Sequence, residues 1–105
     1  MNRPLITSNA ESIAEALQFA QAAADYLGAK QEAEAKRWAY KEVRNTFMHR
    51  IGYERSDWED LLSNPGFIAT TAGPFQEYKA AKQLMHNAER RMMTRYRRIN
   101  RQEAA

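Results

Sequence analysis

A single valine stands against eighteen alanines in this chain. That imbalance constrains the fold more than any other feature. β-Branched and aromatic side chains fill strands, whereas Ala, Glu, Gln, Lys and Arg lose little by entering a helix. The chain therefore reads as all-α. It also reads as thinly cored: the hydrophobic share is 44%, yet Val, Ile, Leu and Phe together number only 16 of 105 residues. That is below the roughly 20% usual in globular domains. Five Tyr and two Trp restore some buryable area, and a net charge of +3 is too small to signal disorder. Cysteine is absent, which excludes disulfides, thiolate metal sites and a cysteine nucleophile.

Local signals divide the chain into helices. Ser8-Asn9-Ala10-Glu11 has the form of a capping box. Ile13, Leu17, Ala20, Ala24 and Leu27 then recur at steps of four and three, one apolar stripe that Gly28 is expected to end. A second helix is predicted from Lys30 to Ile51, stopped by Gly52. Its apolar arc is Ala35, Trp38, Ala39, Val43, Phe47 and Ile51, and Arg37, Lys41 and Arg44 form a basic ridge on the opposite side. A short third helix is expected over Asp57–Leu62 behind a second capping box, Ser56-Asp57-Trp58-Glu59. Ser63-Asn64-Pro65-Gly66 marks a turn. The following stretch, residues 67–72, reads as a short helix with Asn64 as cap and Pro65 at its first position, or as an irregular loop; an extended segment has no second strand to pair with.

The last helix opens at Pro74 and carries Tyr78, Ala81, Met85, Ala88, Met92, Tyr96 and Ile99 on one face. From Phe75 to Gln102 it spans ~42 Å at ~1.5 Å per residue, more than a ~26 Å globule of this length covers. Its end is expected to project or to pack on something else. The predicted architecture is thus a single helical domain over residues 1–105, a bundle of three long helices plus one or two short ones. Residues 1–7 are a flexible N-terminus, and residues 90–105 are the basic end of the last helix.

Charge is laid out in blocks: net −3 over residues 1–34, +4 over 35–55, −4 over 56–77 and +6 over 78–105. The acidic blocks either lie against the basic helices and guide their register, or leave the basic surplus facing outward as an anion-binding surface. Density singles out the C-terminal block. Arg90, Arg91, Arg95, Arg97, Arg98 and Arg101 place six arginines in twelve residues with no acid among them. Arg90, Arg97 and Arg101 share one side; Arg91, Arg95 and Arg98 flank the apolar stripe. The guanidinium fork matches phosphate bidentately, and a helix displaying it on two sides reaches phosphates across a groove. In composition the stretch resembles arginine-rich helical RNA-binding peptides, and Tyr96 and Asn100 suit stacking and base-edge contact in RNA. Arg37, Lys41 and Arg44, with Lys30, form a second patch.

Other constellations point away from catalysis. His49 stands alone, and His86 with Glu89 lacks a third ligand, so no metal or other cofactor is expected. Asp57, Glu59 and Asp60 lack the glycine and terminal Glu of a calcium loop and suit helix capping instead. No phosphate-cradling glycine loop, nucleophile elbow or zinc-protease motif is present. Helix-turn-helix readout of DNA is not expected either, because no helix after a tight turn carries a clean polar reading face. Met85 and Met92 belong to the core stripe, whereas Leu84 and Met93 fall off it. With Phe67, Ile68 and Tyr96 they are candidate contacts for a protein partner, although Phe67 and Ile68 also suit capping of the core.

The N-terminus lacks the apolar run of a signal peptide and no stretch suits a bilayer, so the cytoplasm is the expected compartment. The expected function is non-enzymatic: nucleic-acid binding, dominated by phosphate and served by the arginine-rich helix, with an acidic protein surface as the other anionic partner. The alternative is a protein-interaction module that modulates or inhibits a larger enzyme or assembly, a role common among phage and mobile-element accessory proteins. A homodimer that completes the thin core is compatible with both. Neither a membrane nor a small-molecule substrate is expected as a partner.

Overall fold

The computed structural model describes residues 5–52 and 58–104. They form three α-helices, α1 (Leu5–Arg50), α2 (Trp58–Leu62) and α3 (Pro65–Ala104), and no strand occurs among the described residues. The chain is all-α, but two of its helices are long rather than three. The predicted first and second helices are one. α1 starts at Leu5, so Ser8 lies inside the helix rather than capping it, and the helix passes through Gly28 without a break. An exposed mid-helix glycine costs about 1 kcal/mol, and its neighbours in the Ala-, Lys-, Gln- and Glu-rich run from Ala22 to Lys36 easily carry the helix across. Gly52 does act as the stop: its φ of 67° turns the chain out of the helix, and its N–H donates to the carbonyl of His49 at 3.2 Å. The second capping box begins in residues 53–57, outside the described residues.

α3 likewise absorbs a predicted boundary. Residues 67–72 are its opening turns, and Gly73-Pro74 lies in its interior. Pro74 has no N–H for the carbonyl of Thr70, but Thr70 is exposed, so water can take that bond. The start falls where a separate short helix is one of the expectations, ahead of the Pro74 expected to open the last helix. The Asn64 side-chain oxygen accepts from the Phe67 N–H at 3.1 Å, with Pro65 at the first helical position.

Both long helices bury a seam that steps alternately by four and three. In α1 it runs Glu15, Phe19, Ala22, Tyr26, Ala29, Ala33, Lys36, Tyr40, Val43, Phe47. In α3 it runs Phe67, Thr71, Pro74, Tyr78, Ala81, Met85, Ala88, Met92, Arg95, Ile99. This is the seven-residue spacing of coiled-coil packing.

The chain divides into two compact units. One comprises Gln31–Gln83. Its core is Phe47, Leu61 and Phe67, with Met48 packed against it. The rings of Phe47 and Phe67 meet edge to face with centroids 5.5 Å apart. α2 exists to deliver Leu61 to these rings, and the turn after it is tied by Ser63 Oγ donating to the carbonyls of Glu59 and Asp60. Gly66 lets the turn pass close to the core, since a Cβ there would lie 3.2 Å from Asn64 Oδ1 and 3.6 Å from the Phe47 ring. Buried Thr71 is satisfied by donating to the Phe67 carbonyl at 2.8 Å. Beyond the phenylalanines the rings of Tyr40 and Phe75 lie 5.2 Å apart, and Ala33 and Ala81 are buried. Lys36 bridges Glu32 and Glu77 at 3.9 and 3.7 Å, exposed contacts that add at most about 1 kcal/mol each.

The other unit comprises the chain up to Lys30 together with Leu84 onward. Ala88, 2% exposed, is its one fully interior side chain among the described residues. Phe19, Tyr26, Met85, Met92 and Ile99 are half-buried in the same unit. Phe19 leans on Tyr96 at 6.0 Å. The acidic N-terminal block does lie against the basic C-terminal one here, yet the link that reaches across to Arg95 is an amide: Arg95 donates to Gln18 Oε1 at 2.6 Å.

The apolar stripe expected to pack this unit faces outward. Ile13, Leu17 and Leu27 keep 60%, 66% and 56% of their surface, and Ala20 and Ala24 are exposed. That stripe and the seam through Phe19 and Tyr26 have identical spacing but lie ~160° apart around the helix. The side that carries the aromatic pair turns inward, and three large aliphatic side chains are left in water on the other. In the first unit the expected arc is also narrower: Val43 and Phe47 point inward, but Ala35, Ala39, Ile51 and Trp38, the last 69% exposed, do not. No helix of the described residues is long and apolar enough to cross a membrane.

Candidate nucleic-acid interface

The arginine run occupies the last four turns of α3, a stretch held helical by Met92 and Ile99 on the seam. Arg90, Arg91, Arg97, Arg98 and Arg101 are exposed. Arg95 is not part of that display: it occupies a seam position, is half-buried, and is committed to Gln18. Tyr96 takes the neighbouring position and spends one side of its ring on Phe19. Asn100 is exposed.

Arg90, Arg91, Thr94, Arg95 and Arg98 line a shallow depression of about 240 Å³. Thr94 donates its hydroxyl hydrogen to the Arg90 carbonyl at 2.9 Å, which fixes its rotamer and leaves the guanidinium groups as the functional walls. Among the described residues no acidic side chain lines the depression. Three exposed guanidinium groups around a small hollow, those of Arg90, Arg91 and Arg98, suit a phosphate-sized oxyanion, because each offers a planar pair of donors.

Of the second basic patch, Lys30 falls in the unit of the arginine run, whereas Arg37, Lys41 and Arg44 belong to the other unit and are not the free ridge expected. Arg37 is exposed, but Lys41 sits 5.3 Å over the Trp38 ring, and Arg44 lies half-buried 5.5 Å over Tyr40. Arg44 Nε is buried with no hydrogen-bond partner among the described residues. Flanking the seam rather than opposing it, Arg44 serves packing more than display. The residue that sequence reasoning missed is Trp38. With Lys41, Glu42, Asn45 and Thr46 it lines a depression of about 330 Å³. A register taken from Phe47 backward by fours and threes would have set Trp38 outside the seam.

Among the candidate protein contacts, Leu84 (63%), Ile68 (50%) and Met93 are exposed. Phe67 must be withdrawn from that group: at 4% exposure it is a core residue, held by Phe47 and Leu61. His49 and His86 are both exposed, and among the described residues no three His, Asp or Glu side chains gather as a metal site requires. Compared with models of protein families, with curated proteins and with solved structures, the chain matches none.

Proposed function

We propose that this chain is a non-enzymatic nucleic-acid-binding protein that grips phosphates with the exposed arginines of α3. The observation that carries the reading is the depression edged by exposed Arg90, Arg91 and Arg98, with no acid in its lining among the described residues. Arg97 and Arg101 extend the positive surface beyond it, and Asn100 and the open side of Tyr96 offer contacts to unstacked bases.

The test is fluorescence anisotropy with a labelled RNA hairpin and a DNA duplex, from about 50 mM to about 300 mM salt. Affinity is expected to fall steeply with salt. Combining Arg91→Gln, Arg97→Gln, Arg98→Gln and Arg101→Gln is expected to flatten the log–log slope by about 3, at ~0.7–0.9 for each phosphate no longer neutralised. Arg95 is left in place because it belongs to the packing. No binding at the lowest salt, or a fourfold variant that binds like the parent, refutes the proposal.

The second reading, a module that docks on and modulates a larger protein, draws on Leu84 and Ile68, apolar side chains left open to solvent within their respective units. A stable nuclease-resistant complex lost on Leu84→Lys would favour it.

A further inference from the structure

We propose that two copies of this chain associate through the outward face of α1 between Ile13 and Gly28. On this side of the helix stand Ile13, Leu17, Ala20, Gln21, Ala24 and Leu27, all exposed. None is charged. The acids of the stretch, Glu15 and Asp25, fall on the packed side or at its edge, and the one polar side chain, Gln21, already donates to Asp25 at 2.9 Å. A water-facing helix surface ordinarily carries charge. This one instead repeats, at four- and three-residue steps, the spacing of the seam buried on the other side of the same helix.

The distribution of bulk is self-complementary. Small residues occupy the middle at Ala16, Ala20 and Ala24, Ile13 and Leu27 stand seven residues to either side of Ala20, and an axis there sets Leu17 opposite the small Ala23 of the second copy. Two such helices related by a two-fold axis near Ala20 approach closely at their alanines. Where the crossing helices diverge, the larger side chains fill the gap. The area suffices. Ile13, Leu17 and Leu27, each more than half exposed, supply about 350 Å². With the alanines the face offers roughly 500 Å² per copy, or about 1,000 Å² for the pair, the lower bound of a specific interface.

Other occupants fit less well. The face has no cation to meet phosphate, and the acids beside it disfavour the headgroups of an anionic bilayer. An isologous pair needs only the one surface that is present. The arginine run plays no part in this pairing.

Sedimentation equilibrium on the full chain is expected to show a rise from 12.2 kDa toward twice that mass as concentration increases. Leu17→Lys is expected to weaken the dimer at least about 100-fold with helical content unchanged; Ala24→Lys serves the same purpose should Leu17→Lys misfold. Because the chain has no cysteine, Ala20→Cys also reports directly on the axis. Mild oxidation is expected to give at least about ten times more disulfide-linked dimer than Gln76→Cys, whose exposed position lies in the other unit. A mass of one copy at about 500 µM, a dimer indifferent to both lysine variants, or equal cross-linking of the two cysteine variants overturns the proposal.

Discussion

Phe19→Ala and Leu17→Ala remove large apolar side chains two residues apart, and they should differ sharply in cost. Phe19 is half-buried and rests on Tyr96, whereas Leu17 keeps 66% of its surface. Truncating Phe19 returns roughly 100 Å² of apolar surface to water, about 2.5 kcal/mol at ~25 cal/mol per Å². Loss of the ring pair adds about 0.5–1.5 kcal/mol, and partial collapse of the site recovers some of it. A net cost of about 2–3 kcal/mol lowers Tm by roughly 10–20 °C in a domain of this size. Leu17→Ala should stay within about 0.5 kcal/mol of the parent, since exposed substitutions rarely do more and Ala is the better helix former. The assay is thermal and urea unfolding followed by helical circular dichroism at low micromolar concentration, where self-association does not contribute. Equal destabilisation by the two variants would place the buried seam on the wrong side of α1 and refute this packing.

Two glycines give a test of sign. Gly28→Ala, with no atom within 4 Å of the added Cβ, should raise stability by about 1 kcal/mol, whereas Gly52→Ala at φ 67° should lower it by about 1–2 kcal/mol; paired melting curves decide. Asn64→Ala should cost about 1 kcal/mol by releasing the Phe67 N–H, and Asn64→Asp should largely restore it, as urea midpoints will show.

Residue chemistry made the all-α class legible, together with Asn64-Pro65 as a candidate helix start, the stop at Gly52 and most of the α3 face from Tyr78 to Ile99. What escaped was phase. In α1 a stripe through Leu17 and a stripe through Phe19 share one spacing, and alanines populate both, so periodicity shows that a face exists without choosing it. Gly28 and Gly73-Pro74 misled for a related reason: each is a local penalty of about 1–3 kcal/mol, and long uninterrupted packing outweighs it. The arginine run is visible as composition, but composition does not separate Arg95 from its neighbours. Carrying the α3 frame forward from Phe67 by fours and threes reaches position 95, and that signal distinguishes a seam arginine from a displayed one. Arg44 and Trp38 are corrected by the same frame in α1.

The seven-residue frame also sets a ruler. A helix whose buried side chains repeat every seven residues is wound so that residues seven apart share one azimuth. Arg91 and Arg98 therefore line up along the axis, as do Arg90 and Arg97, giving two straight files of guanidinium groups. Rungs within each file lie about 10.5 Å apart at ~1.5 Å per residue. No loop intervenes to adjust that interval. Inserting a single residue between Met92 and Thr94 would swing Arg98 through ~100° and break both files, while changing neither the number of charges nor their kind.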